Sequence, residues 1–97
     1  MNNVKRIEII IDIPEVPALL AVLREHGADG YSVFSPVTGS GDRGDRRDDE
    51  PGGGSANACV LLATPVENSA ALIEAVRPVL RKRGGVCLVS DAQWVVH

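Results

Sequence analysis

Four segments of this chain have the spacing or the continuous apolar character of β-strands. In the first, residues 4–12, Ile7, Ile9 and Ile11 occupy every second position and therefore share one face of a strand. Further strands are predicted over residues 30–35, 57–63 and 86–96. The last two are apolar on both faces, which indicates that both faces of the sheet are covered.

A first helix is predicted between the first two strands. Its apolar stripe consists of Val16, Leu19, Leu20 and Leu23. Pro14 and Pro17 precede or begin this stripe, where a helix does not need their missing amide hydrogens. Gly27 follows the stripe and favours the left-handed backbone that ends many helices.

A second helix is predicted between the last two strands. The sequence Thr64-Pro65-Val66-Glu67 is typical of a capping box with proline at the first helical position. The apolar stripe that follows consists of Leu72, Ile73, Val76, Val79 and Leu80. Pro78 lies inside this stripe and predicts a kink or a break. Gly84 and Gly85 end the helix.

The predicted order is therefore β-α-β-loop-β-α-β. Two βαβ halves in this order form a ferredoxin-like βαββαβ sandwich of the α+β class, with both helices on one face of an antiparallel sheet. At 97 residues we expect a single domain, residues 1–97. The other face, with Cys59, Leu61 and Val89 or their alternate neighbours, then needs a cover, which a symmetric ring of subunits would supply.

Residues 36–56, between the second and third strands, are rich in glycine, aspartate and arginine and have almost nothing to bury. Burial cannot offset the entropy lost on ordering such a segment, so a long flexible loop is predicted. Arginines beside flexible glycines suit the binding of an anion, because guanidinium groups grip phosphate or bicarbonate through paired hydrogen bonds. The alternative is a solvated loop in which Asp42, Asp45, Asp48 and Asp49 neutralise the arginines.

Charge and composition limit the function further. The net charge of −3 gives no reason to expect nucleic acid as a partner. No apolar run reaches the roughly 18 residues of a membrane span, and the first residues do not resemble a signal peptide, so a cytoplasmic location is expected. No residues suggest a catalytic constellation, and His26 and His97 have no partner at metal-ligand spacing. Neither an enzyme nor a metal protein is predicted.

Two segments resemble the PII-like family of trimeric signal-transduction proteins. The first is His26-Gly27-Ala28-Asp29-Gly30-Tyr31-Ser32-Val33, which is similar to the branch tied to inorganic-carbon uptake, associated with bicarbonate transporters and carboxysomes. The second is Gly41-Asp42-Arg43-Gly44-Asp45-Arg46, which resembles a Gly-x-Arg-x-x-Arg loop whose arginines face the phosphates of an adenine nucleotide. The element order extends this resemblance over nearly the whole chain.

The resemblance implies a regulator without a cofactor that binds ADP or AMP, with bicarbonate as a further candidate ligand, in clefts of a homotrimer. A membrane transporter or a carboxysome-related protein would be its partner. The candidate nucleotide- or anion-binding residues are Gly30, Tyr31, Ser32, Val33, Gly39, Gly41, Arg43, Arg46, Arg47, Arg81, Arg83, Gly84, Gly85 and Val86. For Arg81 and Arg83, stabilisation of the helix end is an equal alternative. The Tyr31 ring is more simply a half-buried aromatic.

The chain also departs from the nitrogen-sensing members of the family that it resembles. After the second helix they carry Thr-Gly-x-x-Gly-x-Gly-Lys, where this chain has Arg81-Lys82-Arg83-Gly84-Gly85. They also place a modifiable tyrosine at the loop tip, whereas Tyr31 precedes the loop. Sensing of 2-oxoglutarate and control by uridylylation are therefore not expected.

Two other hypotheses share the predicted fold. In one, the chain is a CutA-like trimer that binds divalent metal through Cys59, Cys87 or His97. In the other, the loop binds a protein directly and no small ligand is involved. Both cysteines lie in apolar strand patterns, where a free cysteine more simply acts as a small core residue.

Overall fold

The computed structural model describes residues 1–28, 30–41, 44–46 and 56–97. The strands are β1 (Asn2–Asp12), β2 (Ser32–Val37), β3 (Gly39–Gly41), β4 (Gly44–Arg46), β5 (Asn57–Pro65) and β6 (Val86–Trp94). The helices are α1 (Val16–Glu25), which a 3₁₀ turn at Ile13–Glu15 precedes, and α2 (Val66–Arg83).

The main sheet has four antiparallel strands in the order β2-β5-β1-β6. Strand β1 is central and pairs with β5 over nine positions and with β6 over nine positions. Both helices pack on one face of this sheet. The predicted α+β, ferredoxin-like βαββαβ arrangement is confirmed.

The core lies between the helices and the inward face of the sheet. The predicted strand alternation is confirmed, because Ile7, Ile9 and Ile11 are each at most 1% exposed. The other large buried residues are Leu19, Leu23, Val60, Leu62, Leu72 and Val76, from both helices and β5. Since full burial of one aliphatic side chain is worth roughly 1.5–3 kcal/mol, this layer dominates the stability of the fold.

The outward face of the sheet carries an apolar band, and neither of the described helices covers it. Register pairing joins Phe34, Cys59, Ile10 and Val86 in one row across all four strands. The next row along the sheet joins Leu61, Glu8 and Leu88. Phe34, Val86 and Leu88 are each at least half exposed. Val89, which was a candidate for this face, pairs with Ile7 and faces the helices instead.

The predicted capping box at the start of α2 is wrong. Helix α2 begins at Val66 with Pro65 as its N-cap residue, and no side chain caps it. Thr64 is buried in the sheet opposite Lys5, because the pairing of β5 with β1 continues to Pro65. Sheet pairing therefore prevails over the local capping signal at this position.

Of the kink or break predicted at Pro78, the break is wrong, since α2 is one helix from Val66 to Arg83, whereas the kink stays a prediction. Proline lacks the amide hydrogen that would bond to the carbonyl of residue 74. Pro78 and Glu74 both lie on the exposed side of the helix, where water can hydrate that carbonyl. The missing bond is therefore tolerated.

Residues 36–56 are not wholly without regular structure. Strand β2 extends to Val37, and β3 pairs with β4 as a separate two-stranded sheet in which Gly39 lies opposite Arg46. Residues 42–43 and 47–55 lie outside the described residues. The expectation of one uninterrupted loop is therefore wrong at residues 39–41 and 44–46, which form strands.

The turn between α2 and β6 depends on glycine at position 85. Gly85 has a φ of +134°, and a Cβ there would lie 2.8 Å from the Ile10 carbonyl oxygen and 3.0 Å from Cδ2 of Leu80. The turn therefore packs directly against β1, so closely that a residue with a Cβ atom does not fit at position 85.

We expect Gly85→Ala to lower the free energy of unfolding by roughly 2–4 kcal/mol, because it combines left-handed strain with a clash against backbone. Gly30→Ala is the matched control, since nothing lies within 4 Å of a Cβ at that position. Urea denaturation of both variants measures the difference. Equal stability of the two variants would contradict the close packing of the turn.

Candidate functional site

Several candidate residues lie at the end of the sheet where the 38–56 segment departs. Val37, the last residue of β2, pairs with Asn57, the first residue of β5, and Asn57 pairs with Asp12 at the end of β1. Val86 pairs with Ile10 near the same end. The α2–β6 turn and both ends of the 38–56 segment therefore lie at one end of the sheet.

The basic residues at the end of α2 are held there by the glycine turn. Gly84 has a φ of +81°, and its amide donates to the Leu80 carbonyl oxygen over 2.7 Å, which caps the helix. Arg81, Lys82 and Arg83 form the last turn, where cations complement the negative end of the helix dipole. This cluster is exposed.

Arg83 and Arg81 differ in their surroundings. Nε of Arg83 lies 3.0 Å from Oε2 of Glu15, in the 3₁₀ turn that follows β1. Among the residues that the structure describes, Arg81 has no ion pair or hydrogen-bond partner from its side chain. An anion can therefore approach Arg81 freely, whereas at Arg83 it meets a carboxylate.

The candidate residues Ser32 and Val33 begin β2, an edge strand of the main sheet, and Gly30 and Tyr31 directly precede it. Ser32 pairs with Leu61 and shares its outward face, whereas Val33 pairs with Val60 on the helix face. The outer side of an edge strand leaves backbone amide and carbonyl groups without sheet partners. These groups can donate to and accept from a planar ligand.

Tyr31 is held by Arg24 of α1. Nη2 of Arg24 donates a hydrogen bond to the Tyr31 hydroxyl, and the guanidinium carbon lies 5.5 Å from the centroid of the ring. The ring is partly buried against the core, as expected for a half-buried aromatic. Arg24 thereby fixes the backbone just before β2.

The two groups of candidates lie at opposite edges of the sheet. Residues 30–33 belong to the β2 edge, whereas Arg83, Gly84, Gly85 and Val86 adjoin the β6 edge, with β5 and β1 between them. At about 4.8 Å per strand spacing, the two edges are about 14 Å apart. One chain therefore does not bring both groups around one small ligand.

The candidates of the 36–56 segment are only partly placed. Gly39 and Gly41 lie in β3, and Arg46 lies in β4 opposite Gly39. Arg43 and Arg47 fall outside the described residues. Their part in a site stays a prediction.

The two cysteines do not form a metal site. Cys59 pairs with Ile10 on the outward face, whereas Cys87 pairs with Ile9 on the helix face. Burial raises the pKa of the Cys59 thiol, with a further rise from the Glu8 carboxylate, and burial likewise raises the pKa of Cys87. Both thiols are thus kept protonated at neutral pH, although metals bind the thiolate. The described residues contain no cluster of three or more metal-ligating side chains.

A surface cavity of about 590 Å³ lies at the opposite end of the sheet. Its lining residues are Met1, Asn2, Asn3, Val4, Ala63, Pro65, Glu67 and Trp94. None of the candidate binding residues lines it, so it is separate from the site described above. Neither of the helices described is long and apolar enough to cross a membrane.

Nearly the whole chain is similar in sequence to a known protein family. Residues 4–96 match the family model of nitrogen regulatory protein P-II. The chain belongs to the P-II family. No curated protein matches it in sequence.

Solved structures agree with this membership. CPII from Thiomonas intermedia K12, a nitrogen regulatory PII-like protein bound to ADP, AMP and bicarbonate, is 25% identical with a TM-score of 0.84, over 95% of this chain and 88% of that chain. The form bound to ADP and bicarbonate gives a TM-score of 0.83 at the same identity and coverage. A PII-like signalling protein from Thermus thermophilus shares the fold at 15% identity, with a TM-score of 0.72 over 94% of this chain and 87% of that chain.

Two residues of this region were not among the sequence-based candidates. Glu15 and Arg24 each contact a predicted binding residue, Arg83 and Tyr31 respectively. Glu15 and Arg83 are far apart in the chain, so no local pattern could have indicated that pair. Arg24 is close to Tyr31 in sequence, but the turn at Gly27 brings them together.

We expect the contact between Arg24 and Tyr31 to contribute about 0.5–1 kcal/mol, as cation–π pairs at exposed sites do. A double-mutant cycle with Arg24→Ala and Tyr31→Leu, followed by urea denaturation, measures this coupling. The exposed pair of Arg77 and Glu74, at 2.9 Å within α2, serves as a reference with about 0.2–0.5 kcal/mol. A coupling of zero would mean that Arg24 does not hold Tyr31.

Proposed function

We propose that this protein is a PII-like regulator that binds ADP or AMP, with bicarbonate as a second ligand, in clefts between the subunits of a homotrimer. The observation that carries this proposal is the likeness to CPII, which binds ADP, AMP and bicarbonate and aligns with 95% of this chain. The P-II family is regulatory, and the proposed activity is ligand-dependent signalling rather than catalysis.

The positions of the candidate residues support a site shared by two subunits. The β2 edge and the basic turn before β6 lie on opposite sides of one protomer. In a cyclic trimer, the β2 edge of one subunit can face the β6 side of the next, which brings both groups around one ligand. The free backbone groups beside residues 30–33 then bind the base, and Arg81 and Arg83 approach the phosphates.

The outward face of the sheet supports the same assembly. The row of Phe34, Cys59, Ile10 and Val86 and the neighbouring Leu61 and Leu88 form an apolar surface that the helices do not cover. Exposed apolar patches of this kind mark interaction surfaces. Three copies packed sheet to sheet around one axis would remove this surface from water.

The proposed signal is a change in the 36–56 segment. Ligand phosphate recruits Arg43 and Arg46, and secondarily Arg47, so that the segment loses conformational freedom and presents a new surface. A ligand shifts such an equilibrium only by the difference of its affinity for the two states. Gly39 and Gly41, in β3, allow the backbone to approach the anion.

The proposed role is regulation of inorganic-carbon uptake in the cytoplasm, through a membrane transporter or a carboxysome-related protein. Support comes from the similarity of residues 26–33 to the carbon-uptake branch and from the bicarbonate bound by CPII. The CutA-like alternative is not supported, since the family model is that of P-II and the two cysteines face opposite sides of the sheet.

We expect isothermal titration to detect binding of ADP and AMP. The titration should include ATP and cyclic AMP, each with and without bicarbonate. The relative affinities of the four nucleotides then identify the preferred ligand. Arg43→Ala and Arg46→Ala should each weaken ADP binding by roughly tenfold, the loss typical of a charged hydrogen bond.

The matched control for these variants is Arg77→Ala, which removes an exposed arginine of α2 that is paired with Glu74. Its affinity for ADP should equal that of the wild type. Absence of nucleotide binding by the wild type would refute the proposed function and favour an interaction module without a small ligand.

We expect Leu88→Asp to convert the trimer to monomer, because it places a charge in the apolar band of the outward face. Light scattering after size-exclusion chromatography gives the mass directly. Val66→Asp is the control, since Val66 is 44% exposed at the start of α2, compared with 56% for Leu88, but lies away from that face. A monomeric wild type, or a trimeric Leu88→Asp variant, would contradict the proposed assembly.

A further inference from the structure

The ion pair between Glu15 and Arg83 joins two elements that the sequence separates widely. Nε of Arg83 lies 3.0 Å from Oε2 of Glu15, and the Glu15 side chain is 21% exposed, compared with 44% for Arg83. Glu15 belongs to the 3₁₀ turn that directly follows β1. The pair therefore links the turn after β1 to the last turn of α2.

The surrounding backbone holds both partners in place. Gly85 sits against the Ile10 carbonyl oxygen, which fixes the end of α2 relative to β1. The amide of Ile13 donates to the Ala56 carbonyl oxygen over 2.9 Å, which fixes the 3₁₀ turn to the start of β5. Glu15 and Arg83 thus stay adjacent without depending on each other.

We propose that Glu15 is a built-in counter-charge that weakens the binding of nucleotide phosphate at Arg83. A phosphate that approaches Arg83 must either displace the carboxylate, which breaks the ion pair, or remain beside it, where the two negative groups repel each other. This inference rests on the proposed function, since it requires that Arg83 approaches the ligand phosphates. It assigns Glu15 to the tuning of affinity and not to direct contact with the ligand.

The effect must be moderate because the pair is partly exposed to solvent. Ion pairs in such positions are weak, so phosphate can replace the carboxylate without a large loss. Arg81, in the same last turn of α2, has no partner among the described residues and meets phosphate without this competition. Glu15 therefore lowers affinity without preventing binding, which keeps release of the nucleotide fast.

The test is a set of titrations with ADP on four proteins: wild type, Glu15→Gln, Arg83→Gln and the double variant. We expect Glu15→Gln to tighten ADP binding about two- to fivefold. Arg83→Gln should weaken binding, and Glu15→Gln should have no effect when Arg83 is already replaced. Adenosine, which carries no phosphate, should bind the wild type and Glu15→Gln equally.

Glu74→Gln is the matched control, because Glu74 forms a similar ion pair with Arg77 on the same helix and its replacement changes the net charge equally. Thermal unfolding of each variant checks that the fold is intact. An equal effect of Glu15→Gln and Glu74→Gln on ADP affinity, or weaker binding by Glu15→Gln, overturns the inference while leaving the proposed function standing. Absence of ADP binding by the wild type and Glu74→Gln overturns both.

A second measurement reads the pair directly. In ¹⁵N-labelled protein, the Nε–Hε signal of Arg83, identified by its loss in Arg83→Gln, should move on replacement of Glu15 and on addition of ADP to the wild type. A signal that does not move on addition of ADP would overturn the inference, because the ligand phosphate would then not reach Arg83.

Discussion

The fold depends on β1, which forms sheet pairs with β5 on one side and β6 on the other. Its alternating isoleucines supply the middle of the core on one face, and Ile10 lies in the apolar band on the other. Because β1 is central, its ends also determine where the neighbouring turns lie. The 3₁₀ turn follows it directly, and the α2–β6 turn is pressed against its Ile10 carbonyl group.

This arrangement explains why the candidate residues are divided. With β1 and β5 in the middle, β2 and β6 become the edges, and the residues before each edge strand lie far apart in one protomer. The apolar outward face and the divided site are then two consequences of one strand order. In the proposed function, association of subunits would resolve both, and ligand binding would then be linked to assembly.

Local patterns in the sequence were sufficient for the four strands of the main sheet, the two helices and the core. The alternation in Ile7, Ile9 and Ile11 and the left-handed Gly27 depend on neighbours in the chain, and the structure confirms both. Thr64 was wrongly predicted to cap α2, because it belongs to β5 through its pairing with Lys5, which is distant in sequence. The β3–β4 pair was missed because glycine and charged residues give almost no strand signal.

The candidate site was less predictable than the fold for the same reason. Arginine and glycine in a turn indicate that an anion can bind, but they do not show which arginine already has a partner. Glu15 and Arg83 are neighbours only because β1 and α2 pack together. The register of β6 places Leu88, and not Val89, on the outward face of the sheet. Contacts between residues that are distant in the sequence decide these details, and the local patterns of a single sequence do not predict such contacts.

The pairing of Val37 with Asn57 has a consequence for variation among proteins of this architecture. The 38–56 segment begins and ends at adjacent points of the sheet, so the pairing of β2 with β5 already holds its two ends together. Doubling the length of a loop adds only about 0.6 kcal/mol to the entropic cost of closing it. A change in the length of this segment is therefore accommodated at little cost in stability, while the paired strands on either side of it stay unchanged.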